Sequence, residues 1–271
     1  MSPRMDERQR KGCLVIIGGH EDRDPRGDRL ILREVAKRIN GGKLVLATLA
    51  SHRPEGYFEE YQKAFTGLDV GELVELYVED RCEAGDRDKL AALDDAAGVF
   101  FSGGDQLRIT SQIGDTGIEA KVRAIHERGG LIAGTSAGAS VMSDTMLVKG
   151  TSKETHRLGD LHMAPGLGLI GNVIIDQHFA ERGRFGRLLG AVAYNPRILG
   201  MGIDEDTAAI VEGSRLEVVG AGAVYIVDAS ESTYSNVAEA KAENTLSIHD
   251  VKVHVFAHGD SFDLKTKRPI A

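Results

Sequence analysis

The chain has 271 residues, of which 42% are hydrophobic and 27% charged, proportions that exclude collagen, a coiled coil and disorder over the whole length. Its formal net charge of −8 argues against a general nucleic-acid binder, because contacts to phosphates need surplus Lys and Arg. Cys13 and Cys82 form no C-x-x-C pair, and no apolar run approaches the about 20 residues of a membrane span, so we expect a cytoplasmic protein away from membranes.

In the first half of the chain, short apolar runs alternate with amphipathic segments of helical length. The apolar runs predict strands over residues 13–17, 43–49, 72–77, 98–101 and 131–134. The segments between and after them predict helices over residues 28–39, 57–65, 86–94, 105–113, 118–128 and 137–142. This alternation predicts a mostly parallel sheet with helices on both faces, a three-layer α/β/α fold.

The second half of the chain is less regular, and glycine turns separate its apolar runs. These runs predict strands over residues 172–175, 200–203, 208–211, 215–219, 223–227 and 249–257, with one helix over residues 184–192. The hairpins predict an antiparallel C-terminal extension of the same sheet. Because no repeat or Pro-rich linker interrupts the pattern, we predict a single domain over residues 13–271, preceded by a flexible tail over residues 1–12.

Polar and glycine-rich segments follow many of the predicted strands. In an open α/β sheet, ligands bind outside the carboxyl ends of the strands, so these segments are where we expect a site. They are Gly18-Gly19-His20, Ser51-His52, Ser102-Gly103-Gly104-Asp105-Gln106, Gly134-Thr135-Ser136, Asp176-Gln177-His178 and Asp204-Glu205.

The best nucleophile candidate is Ser136, at the centre of Gly134-Thr135-Ser136-Ala137-Gly138. This G-x-S-x-G motif lies between a predicted strand and a predicted helix, where a sharp turn exposes the serine hydroxyl and the amide of Ala137 can stabilise an oxyanion. The alternative is a serine that only caps the helix. A second oxyanion donor is predicted at Gly104, whose missing side chain lets a carbonyl oxygen approach the backbone, and the alternative there is a plain turn with Asp105 as helix cap.

A serine nucleophile needs a base, and a third group that orients the base. His178 is the leading base because it ends the predicted strand that carries Asp176, and His20 and His52 are rivals at other strand ends. The carboxylates that could orient the base follow the strand over residues 200–203 or lie further upstream, and the pattern does not choose among them. They are Asp204, Glu205, Asp206 and Glu154.

Three arginines follow His178: Arg182, Arg184 and Arg187. On a helix, Arg184 and Arg187 lie about 60° apart on one face, while Arg182 falls on the other side. Such a group is either a solvated basic face or a clamp for substrate carboxylates, for which the guanidinium group is well shaped.

Taken together, the motifs resemble the cyanophycinase family, in order along the chain from residue 18 to about residue 211. The motifs that carry the resemblance are Gly18-Gly19-His20-Glu21, Ser102-Gly103-Gly104-Asp105-Gln106, Gly134-Thr135-Ser136-Ala137-Gly138-Ala139, Asp176-Gln177-His178-Phe179 with Arg182, Arg184 and Arg187, and Gly202-Ile203-Asp204-Glu205-Asp206-Thr207-Ala208. The family belongs to a group of serine peptidases that includes aspartyl dipeptidases, and its fold resembles the class I glutamine amidotransferase domain.

The resemblance implies a homodimeric serine exopeptidase that needs no metal or other cofactor. Its substrate would be cyanophycin, a polyaspartate carrying arginine on its β-carboxyls, and its product the β-aspartyl-arginine dipeptide. By motif match, Ser136 would be the nucleophile, His178 the general base and Glu205 its orienting group, with Glu154 as the alternative. The residues implied in substrate binding are Gln106, Asp105, Asp176, Gln177, Arg182, Arg184 and Arg187.

Two other functions fit the same motifs. An α-aspartyl dipeptidase could use the same scaffold, although the three arginines favour a substrate rich in carboxylates. A binding module without catalytic activity would carry an inert serine at position 136. A glutaminase with a cysteine nucleophile is disfavoured, because Cys82 lies in no comparable turn.

Overall fold

The computed structural model describes residues 12–52, 54–149, 161–239, 241 and 244–270, and its elements follow the predicted order closely in the first half of the chain. The helices are α1 (Leu30–Ile39), α2 (Tyr57–Phe65), α3 (Arg87–Ala92), α4 (Gln106–Ile113), α5 (Gly117–Glu127), α6 (Ala137–Ser140) and α7 (Phe185–Tyr194), with a 3-10 turn at Cys82–Gly85. The strands are β1 (Cys13–Ile17), β2 (Lys43–Ala47), β3 (Glu72–Leu76), β4 (Ala96–Phe101), β5 (Leu131–Thr135), β6 (Thr145–Lys149), β7 (His162–Pro165), β8 (Val173–Gln177), β9 (Leu199–Ile203), β10 (Thr207–Glu212), β11 (Arg215–Gly220), β12 (Val224–Asp228), β13 (Tyr234–Ser235), β14 (Ile248–His249), β15 (Lys252–Phe256), β16 (Ser261–Asp263) and β17 (Arg268–Ile270).

The main sheet has the order β17-β16-β11-β10-β1-β5-β4-β2-β3. Strands β1, β5, β4, β2 and β3 pair in parallel, and β10, β11, β16 and β17 extend the β1 edge in antiparallel fashion. The apolar runs of the central strands fit this position, because a parallel strand is buried on both faces. The mostly parallel α/β sheet with an antiparallel extension is therefore confirmed.

Side chains of successive residues of β1 pack into two separate cores, one on each face of the sheet. Val15 and Ile17 belong to the core beneath α1 and α2, whereas Leu14 and Ile16 face the core beneath α4 and α5. This alternation follows from the two-residue period of a strand. Helices on both faces of the sheet confirm the three-layer arrangement.

The expectation of one continuous sheet is wrong for the later strands. Among the described residues, β8, β9, β12 and β15 form a separate sheet in the order β15-β12-β9-β8, in which β8 and β9 are parallel. The predicted strand over residues 223–227 was expected to continue the main sheet after β11. Instead, Gly220 has a φ of 133°, and the turn after it carries the chain across to pair with β9.

The N-terminal tail and several short strands remain to be compared with the sequence prediction. The predicted tail lies outside the described residues except for Gly12, whose amide donates to the carbonyl of His126 at 2.7 Å. The hairpin of β6 and β7 and the strands β16 and β17 were not predicted, and the single-domain division stays a prediction. Within the described part of the chain, no helix is long and apolar enough to cross a membrane.

Candidate active site

Ser136 lies in a strained turn directly after β5. Its φ of 53° and ψ of −110° place it outside the usual regions for a residue with a side chain. The turn is closed by small neighbours, since a Cβ on Gly138 would lie 2.3 Å from the Phe101 carbonyl oxygen. Although Ser136 occupies the N-cap position of α6, its side chain makes no capping hydrogen bond there. The interpretation of Ser136 as a helix cap is therefore wrong, and its hydroxyl is available for another partner.

That partner is His178, which lies at the end of β8. Nε2 of His178 is 2.9 Å from the Ser136 hydroxyl oxygen, and Nδ1 is 2.6 Å from Oε1 of Glu205. An ionised carboxylate only accepts hydrogen bonds, so Nδ1 donates to Glu205, and the neutral ring accepts the hydroxyl proton of Ser136 at Nε2. A hydroxyl, an imidazole and a carboxylate in this order can activate the hydroxyl oxygen as a nucleophile.

The backbone places His178 beside Ser136 although 42 residues separate them in sequence. The amide of His178 donates to the carbonyl of Gly18 at 2.8 Å, and the amide of Ser136 donates to the carbonyl of Ile17 at 3.0 Å. The backbone at the end of β1 is therefore hydrogen-bonded both to the turn that carries Ser136 and to the turn that carries His178. Gly19 makes room for the imidazole, because a Cβ there would lie 2.2 Å from Cε1 of His178.

The environment of His178 favours the neutral form of its imidazole. Burial lowers the pKa of His178 below its ordinary value of 6.5, and the positive charges of Arg182 and Arg184 act in the same direction. The hydrogen bond and charge of Glu205 oppose this shift without reversing it. A neutral imidazole is the form that can accept a proton from a hydroxyl group.

The rival histidines have other positions. Nε2 of His20 is 3.7 Å from Oε1 of Glu205, and its largely exposed ring packs edge-on against that of His178. His52 lies apart, where its Nδ1 accepts a hydrogen bond from Arg108 at 3.1 Å. The nitrogen of His178 is thus the one that the described hydrogen bonds bring to Ser136.

Among the candidate carboxylates, Glu205 is the one that the described residues bring to His178. Asp204 instead accepts hydrogen bonds from the amides of Ala180 and Ala223, and Asp206 accepts one from the amide of Asp22. These two acids hold loops together beside the site. Glu154 lies outside the described residues.

A metal ion could in principle bind at this cluster, because ligand atoms of His20, His178 and Glu205 lie within 4.8 Å of one another. Both nitrogens of His178 already face Ser136 and Glu205, however, so an ion here would break at least one of these hydrogen bonds. The absence of a metal cofactor stays a prediction.

The two predicted oxyanion donors lie close to Ser136 in the structure in different ways: Gly104 lines the same cavity as Ser136, and Ala137 is its neighbour in sequence. Gly104 has a φ of 143°, and a Cβ there would lie 2.4 Å from the Ala50 carbonyl oxygen, so the position requires glycine. Ala137 directly follows Ser136 at the start of α6. The side chain of Asp105 accepts from the amide of Leu107 at 2.9 Å, which confirms Asp105 as the cap of α4. The oxyanion role of Gly104 and Ala137 stays a prediction.

The predicted substrate-binding residues after β8 form an internal network. Nε of Arg187 donates to Oδ2 of Asp176 at 2.6 Å, and Arg184 donates to Oδ1 of Asp176 at 3.2 Å and to Oε1 of Gln177 at 2.9 Å. Arg184 and Arg187 are buried, so their interpretation as a solvated face is wrong, whereas Arg182 is exposed.

The substrate-binding role of these residues stays a prediction. The same holds for Gln106, whose amide donates to the carbonyl of Leu147 at 2.9 Å, and for Asp105.

A cavity of about 170 Å³ opens beside Ser136 and is lined in part by residues to which the sequence patterns assigned no role. These are Glu21, Arg23, Tyr57 and Tyr61, which line it together with His20, Gly103, Gly104, Thr135, Ser136 and His178. Glu21 follows Gly18-Gly19-His20 after the end of β1, and this position after a strand could have identified it as a candidate site residue. Tyr61 lies in the middle of α2, where an aromatic residue on the apolar face is typical of a core position.

Comparison with known proteins adds relatives that cover most of the chain. Peptidase family S51 matches residues 14–219. The cyanophycinase of Synechococcus elongatus is 37% identical over 260 residues, which is 94% of this chain and 80% of the relative. The cyanophycinase of Nostoc sp. (strain PCC 7120 / SAG 25.82 / UTEX 2576) is 40% identical over 261 residues, 94% of this chain and 86% of the relative.

Solved structures of peptidases share the fold. A peptidase from an acI-B1 actinobacterium superimposes with a TM-score of 0.61 at 23% identity, covering 90% of this chain and 98% of that one. A putative peptidase E protein from Listeria monocytogenes EGD-e gives a TM-score of 0.55 at 17% identity, covering 78% of this chain and 99% of that one. At these identities the likeness concerns the fold alone.

Proposed function

The chain belongs to peptidase family S51, and on this premise we propose that it is a serine exopeptidase that hydrolyses cyanophycin to β-aspartyl-arginine dipeptides. The observation that carries the proposal is the line of hydrogen bonds from Ser136 through His178 to Glu205. Cyanophycinases at 37% and 40% identity over 94% of the chain support the choice of substrate.

In the proposed reaction, the Ser136 oxygen attacks a backbone carbonyl carbon of the polymer while its proton passes to Nε2 of His178. The negative charge that develops on the carbonyl oxygen is stabilised by the amides of Gly104 and Ala137. The C–N bond then breaks, and the leaving amine takes the proton from His178. Water hydrolyses the resulting ester on Ser136 by the same steps, with His178 again as base.

Each repeating unit of the proposed substrate carries a guanidinium group and a free carboxylate, so its site needs groups of both signs. Arg182 is the exposed arginine next to His178 and is the proposed contact for substrate carboxylates.

We further propose that the enzyme is a cytoplasmic homodimer. The subunit state is implied by the resemblance to cyanophycinases, and the location by the unpaired cysteines.

The test of the proposed function is incubation of the purified protein with insoluble cyanophycin, followed by identification of the soluble product by mass spectrometry. Release of β-aspartyl-arginine is the expected result. An α-aspartyl dipeptide offered in parallel should remain intact, and cleavage of that dipeptide alone would favour the dipeptidase alternative. Failure to react with an active-site phosphonate would favour a module without catalytic activity.

The rate should depend on pH through the neutral form of His178. Because burial lowers the pKa of His178, the fraction of neutral imidazole is lost only when the pH falls below the ordinary value of 6.5. We therefore expect the acid limb of kcat/KM, measured on a soluble trimer of β-aspartyl-arginine, to lie below pH 6.5. A limb centred above that value would contradict the proposed base in its buried setting.

Replacing Glu205 by glutamine should lower kcat by about 10³- to 10⁴-fold, because an amide can donate to Nδ1 and leave the ring proton on the nitrogen that faces Ser136. The comparison variant is Glu154→Gln, which should retain turnover near that of the unmodified protein. Loss of turnover in Glu154→Gln with retention in Glu205→Gln would assign the orienting role to Glu154 instead.

A further inference from the structure

Glu21 is a buried carboxylate beside the proposed nucleophile, and the proposed reaction does not use it. Its side chain lies at the end of β1, and the residue is 4% exposed. Oε1 accepts a hydrogen bond from the Tyr61 hydroxyl at 2.5 Å, and Oε2 accepts one from the Thr135 hydroxyl at 2.6 Å. Thr135 directly precedes Ser136, so Glu21 is hydrogen-bonded to the residue next to the proposed nucleophile.

The protein supplies Glu21 with two neutral donors but no cation. Among the described residues, no Lys, Arg or His nitrogen lies within 4.0 Å of its carboxylate, whereas Asp176, a more deeply buried acid, is paired with two arginines. Asp204, which is also buried beside the site, has no such cation either and accepts hydrogen bonds from two backbone amides. Burial of a carboxylate is costly unless a positive group compensates it. A carboxylate can accept about four hydrogen bonds, so acceptor capacity remains after Tyr61 and Thr135 are counted.

Glu21 borders the cavity of about 170 Å³ that opens onto Ser136. Arg23 lines the same cavity nearer to solvent, where its guanidinium group pairs with Glu60 at 3.0 Å and lies over the Tyr61 ring. The cavity is therefore lined by a buried carboxylate and by a partly exposed guanidinium group. None of the residues that line it in the described structure belongs to the predicted substrate-binding set after β8.

We infer that Glu21 receives a cationic group of the substrate, so that this cavity is a subsite selective for guanidinium or ammonium groups. The inference rests on the proposed function for the identity of the group, which is then the guanidinium of an arginine side group of the polymer. A planar guanidinium fits a carboxylate by two parallel hydrogen bonds and supplies the missing charge. Hydrogen bonds from Tyr61 and Thr135 fix the orientation of the carboxylate.

A purely structural role for Glu21 is the competing explanation, because Glu21 also links α2 to the residue before Ser136. That role predicts equal losses with charged and neutral ligands when Glu21 is changed. The proposed subsite predicts a loss of discrimination between them. The two explanations therefore predict different ratios between the affinity for the charged ligand and the affinity for the neutral ligand, and the absolute affinities do not distinguish them.

The test measures binding by calorimetry in the Ser136→Ala background, where no ligand is turned over. The ligands are the trimer of β-aspartyl-arginine and a matched trimer with citrulline, whose neutral urea group has nearly the shape of guanidinium. The arginine trimer should bind about 10- to 100-fold more tightly, the effect of one hydrogen-bonded charge pair. Adding Glu21→Gln should remove this preference, and adding Glu59→Gln, the matched change at an exposed glutamate of α2 that does not line the cavity, should leave it intact.

An unchanged preference in Glu21→Gln, equal binding of both trimers before the change, or binding of neither trimer would each overturn the inference. Should Glu21→Gln fail to fold, Glu21→Asp keeps the charge but withdraws the carboxylate by one methylene, and an unchanged preference there overturns the inference equally. Hydrolysis of cyanophycin by the unmodified protein tests the proposed function separately. If the unmodified protein hydrolyses the polymer but Glu21→Gln keeps the preference for the arginine trimer, the proposed function stands and the subsite is overturned. If Glu21→Gln loses the preference but the unmodified protein does not hydrolyse the polymer, the subsite stands and the proposed function is overturned.

Discussion

Replacing Ser136 by alanine is expected to lower the release of β-aspartyl-arginine from cyanophycin by about 10⁴-fold or more. The substitution removes the oxygen that would form the acyl-enzyme, and His178 has no other hydroxyl at hydrogen-bond distance among the described residues. The fold should persist, because the backbone bonds of the turn, such as the Ser136 amide to the Ile17 carbonyl, do not involve the side chain. The rate is measured as soluble dipeptide released per unit time, with thermal unfolding as the check on folding.

The matched control is Ser140→Ala, one helical turn further along α6. Ser140 is 1% exposed and its amide donates to the Ser136 carbonyl at 3.1 Å, so it shares the environment of the nucleophile without contact to His178 in the described structure. This variant should retain turnover. Normal release of dipeptide by Ser136→Ala would remove the serine from the mechanism and with it the proposed acyl-enzyme.

The part of the site that could be predicted from sequence is the part encoded locally. The strand before Ser136 and the glycines around it define the turn within five residues, and His178 directly ends an apolar run. Both features depend on hydrophobic periodicity and on the residues of the turn, and both can be recognised in a single sequence. The general position at the carboxyl ends of strands follows from the fold class alone.

The pairing of distant groups could not be predicted in the same way. By pattern alone four acids were open candidates for contact with His178, and only the family resemblance favoured Glu205, because the contact depends on where β9 ends relative to β8. Arg184 and Arg187 look like solvent-exposed residues in sequence, yet Asp176 draws both into the interior. Glu21 belongs to a motif of the resemblance, but its place at the site could not be predicted because its partners Tyr61 and Thr135 come from other elements of the fold.

Four of the non-glycine residues with positive φ lie beside the functional groups, and seven others lie elsewhere in the described chain, at Arg29, Asn40, Asp95, Asp115, Asn172, Asp250 and Lys267. His20, Ser136, His178 and Asp206 all have φ values between 45° and 53°, a region that costs residues with side chains about 1 to 3 kcal/mol each. His20 and Ser136 follow strands of the main sheet, and His178 and Asp206 follow strands of the second sheet. At Ser136 and His178, the surrounding sheets hold the hydroxyl and the imidazole in place at the expense of local backbone energy.

Replacing His178 by alanine should lower turnover about as much as Ser136→Ala does, by about 10⁴-fold or more, because a serine without its base is a poor nucleophile. The double variant should be no slower than either single variant, since groups that act as one unit fail together. The measurement is again release of dipeptide, with His52→Ala as the control because His52 contacts Arg108 in a separate place.

The His178 variants also separate the base from its rivals. If His20 were the base, His20→Ala would remove turnover and His178→Ala would not, although the two rings lie only 5.2 Å apart. If the losses in His178→Ala and Ser136→Ala multiplied in the double variant, the two groups would act independently. That result would contradict a shared proton transfer across the 2.9 Å between Nε2 of His178 and the Ser136 oxygen.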